Sequence, residues 1–122
     1  MSLPNMDYLL WAQGFIEEAE QTLKRGSLKG FKDNLSKAVH YSVTAVLKKY
    51  TGWEIKEEEK VEELLRNLEG FFPGWFNKYI PIICDILVTI EETEPSEDTA
   101  EDLYKRAYFV FETCKRLLES GT

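Results

Sequence analysis

Residues 28–53, LKGFKDNLSKAVHYSVTAVLKKYTGW, constrain the fold of this chain more than any other stretch. Leu28, Phe31, Leu35, Ala38, Val39, Ser42, Val46 and Tyr50 recur at three- and four-residue spacing, the period of one helix face. Ser36, His40, Val43 and Leu47 form a second row beside it. Residues 28–53 read as one long helix with Gly30 or Asp33 near its start and Gly52 just past its end. A helix that is apolar around so much of its circumference must be covered on several sides, which places it at the centre of a bundle. It also carries the only histidine of the chain, His40.

The flanking sequence supplies helices to cover it. Residues 5–25 read as a first helix with Tyr8, Ala12, Phe15, Ile16, Ala19 and Leu23 inward, a cap at Asn5 and a stop at Gly26. The short 25–27 link makes the first two helices antiparallel neighbours. A third helix is expected over 56–69, where Val61, Leu64, Leu65 and Leu68 face the core. Its early glutamates would then suit the positive end of the helix dipole. Gly70 to Gly74 form a sharp turn whose Phe71 and Phe72 are expected to plug one end of the bundle. A fourth helix spans 75–91, with Pro81 either kinking it or marking its true first turn. A fifth begins at Ser96 or Thr99 and ends at Ser120, before Gly121. No strand-like alternation and no repeat occurs. The fold class is all-α, an antiparallel bundle of four or five helices in one domain.

A chain of 122 residues can bury a core without staples. No apolar run approaches the roughly 18 residues that span a membrane, and no signal-peptide pattern opens the sequence. Cys84 and Cys114 each fall on an apolar helix face, as buried free thiols of a cytoplasmic protein do. The net charge of -7 argues against non-specific nucleic-acid binding by the whole molecule. Its distribution is uneven. Between residues 24 and 49, seven basic side chains face Asp33 alone, whereas residues 85–102 hold eight acidic ones and no basic one.

The run Phe31-Lys32-Asp33-Asn34-Leu35-Ser36-Lys37-Ala38-Val39-His40-Tyr41-Ser42-Val43 resembles the second helix of HEPN domains. There a glycine and an aromatic precede an aspartate-containing turn and a Ser-Arg-Ala-Tyr-Tyr-Ala type run. Trp11, Ala12, Ala19 and Leu23 before Gly26 are similar to the first helix of that family, and the long amphipathic last helix fits it too. The resemblance implies a compact helical bundle, a homodimer, and a minimal nucleotidyltransferase as partner. Many such domains are ribonucleases that use an arginine followed four to six residues later by a histidine. Here positions 33 to 35 are Asp33, Asn34 and Leu35, Lys37 stands for the arginine of the Ser-Arg-Ala run, and His40 stands for a tyrosine. The resemblance thus implies the fold more strongly than the cleavage.

Ser36, Lys37 and His40 can meet on one helix face. His40 could act as general acid or base with Lys37 steadying a phosphate, or it could simply pack beside Val43 and Leu47. Candidate ligand-binding residues are Lys32, Ser36, Lys37, His40 and Tyr41, for a nucleotide or RNA. That reading requires the acidic stretch 91–102 to lie away from them, because opposite charges cancel within a Debye length of about 8 Å. No Cys or His pair stands at metal-ligand spacing, no calcium loop or glycine-rich phosphate loop occurs, and no cofactor is implied. Tyr104, Tyr108, Phe109 and Phe111 read as core and dimer contacts rather than a base-stacking platform. The function expected is a dimeric, non-catalytic binding protein for a nucleotidyltransferase-like partner, a nucleotide or RNA. A divergent ribonuclease using His40 and a purely structural interaction module are the alternatives. The surplus of large apolar residues, Trp11, Trp53, Trp75, Phe71 and Tyr108 among them, motivates the dimer.

Overall fold

The computed structural model describes residues 5–120, with the side chains of residues 7–120. Among them are six helical segments and no strand: α1 (Asn5–Lys24), α2 (Leu28–Thr51), α3 (Val61–Asn67), α4 (Gly74–Asn77), α5 (Ile80–Glu92) and α6 (Glu97–Ser120). The protein is an all-α bundle. The cap expected at Asn5 and the stop at Gly121 fall outside the described side chains and residues.

Sequence chemistry sets the ends of α2. Gly26 takes the left-handed conformation (φ 79°) that closes α1. Ser27 then caps α2 by accepting from the Gly30 amide at 3.3 Å. Gly52 (φ 75°) ends α2, its amide donating to the Lys48 carbonyl. Between these caps both apolar rows are inside: Phe31, Leu35, Ala38, Val43, Val46 and Leu47 are fully buried.

Direction along the bundle follows from cross-helix contacts. Lys48 lies over Tyr8, Trp11 meets Tyr41, and Lys37 lies over Phe15, so α1 and α2 are antiparallel. Lys32 near the start of α2 pairs with Glu94 just before α6, and Lys49 near its end reaches the Leu118 carbonyl. The two longest helices therefore run the same way, with α1 and α5 opposed to them. Ser96 and Thr99 cap α6 reciprocally, the Ser96 amide donating to Thr99 Oγ1 at 2.9 Å and the Thr99 amide to Ser96 Oγ at 3.3 Å.

Three expectations change. The third helix begins at Val61, not residue 56, because only from Val61 onward do apolar residues recur at helical spacing and give it a face to bury. Residues 56–59 instead form a turn, closed by the Glu59 amide on the Lys56 carbonyl at 3.1 Å. The fourth helix is broken in two, and Pro81 sits in the first turn of α5, where its missing N–H costs nothing. Phe72 is buried and plugs the bundle, but its neighbour Phe71 is 58% exposed. Asn77 holds this corner, accepting from the Gly70 and Phe72 amides and donating to the Phe72 carbonyl at 2.6 Å.

Cys84 and Cys114 are free and buried. Burial pushes both thiols up, and Arg66 partly offsets this at Cys84. Among the described residues no helix is long and apolar enough to cross a membrane.

Candidate functional site

Four of the five candidate residues come together. Ser36, Lys37, His40 and Tyr41 line a cleft of about 480 Å³. One wall is the face of α2 that turns away from the deepest core; the other is α5, through Leu87 and Glu91. The roof is the non-helical segment 52–60, a strap between α2 and α3. Lys32 does not join them, because its ammonium is drawn to Glu94 at 3.4 Å.

Tyr41 organises the cleft. Its ring stacks on Phe15 (centroids 5.6 Å apart) and on Tyr8 (6.0 Å), and meets Trp11 (5.6 Å) and His40 (5.7 Å) edge to face. Its hydroxyl donates to Glu57 Oε1 at 2.5 Å. Burial and this bond to a carboxylate push the Tyr41 hydroxyl up to about 12, so it remains a donor at any physiological pH. A second tie, Lys48 to Glu54 at 3.0 Å, fixes the strap at its other end.

His40 is half-buried. Burial lowers its pKa from the usual 6.5, and Glu57, Glu62 and Glu59 oppose that shift. It is therefore neutral near pH 7. Lys37 lies over the Phe15 ring at 5.4 Å.

The sequence reading missed the acidic half of this site. Glu57, Glu58, Glu59, Glu62 and Glu91 line the cleft against two lysines, Lys37 and Lys60. Read as decoration of a third helix, residues 57–59 looked like dipole partners; on the strap they surround His40. The signal was the absence of any apolar position at helical spacing between Ile55 and Val61. The condition set for an anion-binding face of α2 is not met, since Glu91 lines the cleft and Glu94 neutralises Lys32.

Chemically, the arrangement offers a neutral imidazole, a phenol donor and a surplus of carboxylates. Cleavage of a phosphodiester needs positive charge at the developing oxyanions and two proton-transfer groups. No arginine lines the cleft, and its carboxylates would repel the substrate. Among the described residues no three His, Cys, Asp or Glu side chains are grouped so as to hold a metal ion. No protein-family model, curated protein or solved structure matches this chain.

Proposed function

We propose that this chain is a non-catalytic, HEPN-like binding module whose cleft engages a protein partner through that partner's basic side chains. The observation that carries the reading is the surplus of carboxylates around His40 and Tyr41. Such a lining attracts lysine and arginine and repels RNA and nucleotides. Trp11, 49% exposed and edge-on to Tyr41, adds an apolar anchor beside the charged cleft. The family resemblance names a minimal nucleotidyltransferase as the partner class.

The test is a pair of titrations at low salt, one with a lysine-rich octapeptide and one with short single-stranded RNA and ATP. The peptide is expected to bind, with at least about a tenfold loss on the double change Glu57→Lys and Glu59→Lys, the size expected when close charge pairs turn repulsive. The RNA and ATP titrations are expected to be flat at this cleft, and incubation with RNA to leave it intact. RNA cleavage abolished by His40→Ala would restore the ribonuclease alternative and end this one.

A second copy of the chain is a further partner. Leu10, Trp11, Trp53, Phe71, Ile82 and Tyr108 remain exposed, large apolar side chains of the kind that self-association covers. Light scattering at micromolar concentration should read twice the 14.2 kDa of the chain. A monomer mass would remove the dimer and leave the partner reading in place.

A further inference from the structure

We propose that a second cleft, between Tyr79 and the C-terminal half of α6, binds a small aromatic anion. The cleft measures about 600 Å³, within the range of small-molecule sites, and shares no lining residue with the cleft at His40. Tyr79 and Phe109 form its apolar wall, their rings 5.6 Å apart edge to face. Lys115 and Arg116 supply positive charge, with Glu112 and Glu119 beside them.

Arg116 carries the argument. Its guanidinium lies 4.5 Å over the Trp75 ring. Stacking occupies the face of a guanidinium and leaves its in-plane N–H donors free, a preset fork for a carboxylate or phosphate. Among the described residues the Arg116 side chain makes no hydrogen bond and no ion pair, although Glu112 stands four residues before it, at pairing distance on a helix. Lys115 likewise ignores Glu119 and lies 6.0 Å over Phe111, while Lys78 lies 5.4 Å over Tyr79. The two cations that line the opening, Lys115 and Arg116, thus sit on aromatic rings, each without a carboxylate partner.

Basic residues near the end of a helix also answer its exposed carbonyls. Here Lys49 Nζ already donates to the Leu118 carbonyl at 3.0 Å, and Arg116 is turned onto Trp75 instead. Glu112 and Glu119 oppose an anion, so a bound ligand gains affinity from its ring on Tyr79 and Phe109 as well as from its charge. Neither an uncharged ring nor a bare anion satisfies both halves.

The experiment follows the Trp75 indole signal by NMR on the whole chain at pH 7.5 and low salt, assigned with Trp75→Phe. The probes are AMP, 4-hydroxybenzoate, adenosine and inorganic phosphate. A saturable shift with AMP or 4-hydroxybenzoate is expected, and which of the two binds tighter separates phosphate from carboxylate recognition. Adenosine and phosphate should each bind at least about fivefold more weakly, the loss of one charge-assisted contact or of the ring. Arg116→Ala should weaken binding by a similar factor, Arg116→Lys should restore it in part, and Glu112→Gln should strengthen it. Glu58→Gln, at the other cleft, should leave the affinity for both aromatic anions as it is. No saturable shift from either aromatic anion, equal binding of adenosine, or undiminished binding by Arg116→Ala would overturn the proposal.

Discussion

The two clefts of this bundle use the same kinds of side chain and hold them by different means. At His40 the roof is a non-helical strap, tied down by Tyr41 to Glu57 and Lys48 to Glu54. At Arg116 the walls are α6 and Tyr79, which follows the fully buried Phe76 of the core. In the first cleft carboxylates outnumber cations; in the second the two are equal in number, and the cations rest on rings rather than on the carboxylates. The contrast separates two ways of keeping charged groups unpaired. A loop can carry them over a cleft by side-chain ties, or helix faces can hold them against aromatic surfaces. The first arrangement is cheap to open and the second is as stable as the core beneath it.

The largest expected effect tests that last statement. Phe76 is fully buried and packs edge to face on Phe72 (5.2 Å) and Trp75 (5.8 Å). Phe76→Ala should cost about 3–5 kcal/mol in urea denaturation, the usual loss for a buried phenylalanine, and shift the Trp75 signal. A cost below about 1 kcal/mol would mean that the corner yields and that the second cleft is no more rigid than the first.

A smaller effect is expected at the strap. Tyr41→Phe keeps the ring contacts and deletes only the donor to Glu57, whose carboxylate remains in contact with water. The loss should be about 1 kcal/mol, with faster amide exchange in residues 53–60 and unchanged exchange in α6. The wild type should also lose stability as pH rises from 10 towards 12, because the folded state keeps the Tyr41 proton longer than the unfolded chain. Equal exchange in the two proteins would show that the strap is held by something other than this bond.

These differences mark how far the sequence could be read. The rows Phe31-Leu35-Ala38-Val39 and Ala12-Ile16-Ala19 were legible because a helix buries what recurs at its own period. Glu57 to Glu59 misled for the complementary reason. Glutamates favour helices locally, but without an apolar face the helix gains nothing from packing, and the segment turns instead. Lys32 and Lys37 share one helix, yet their partners Glu94 and Phe15 lie on other elements, so spacing could not tell which lysine would be neutralised. Arg116 over Trp75 joins residues 41 positions apart and left no local signal.

The smallest effect is the most selective between the clefts, since His40 is the only side chain of its kind and lines only the first. Burial holds it below 6.5 in the folded state, despite Glu57, Glu62 and Glu59. Lys37 on α2, Glu58 and Lys60 on the strap and Glu91 on α5 complete the charged groups around it. As pH falls, the unfolded chain takes up this proton first, so the His40 contribution is intact above about pH 7.5 and is lost as pH drops from 6.5 through the folded value. Urea denaturation at pH 7.5 and 5.5 should show that loss in the wild type, and His40→Gln should flatten it. Glu57→Gln with Glu59→Gln should enlarge it, because those carboxylates are what eases protonation in place. Protonated His40 adds positive charge to the first cleft, so lysine-peptide binding should weaken over the same interval. Binding of 4-hydroxybenzoate at the second cleft, where no histidine stands, should hold level. A stability that rises as pH falls would mean the carboxylates win over burial at His40, and the strap would then tighten on acidification rather than loosen.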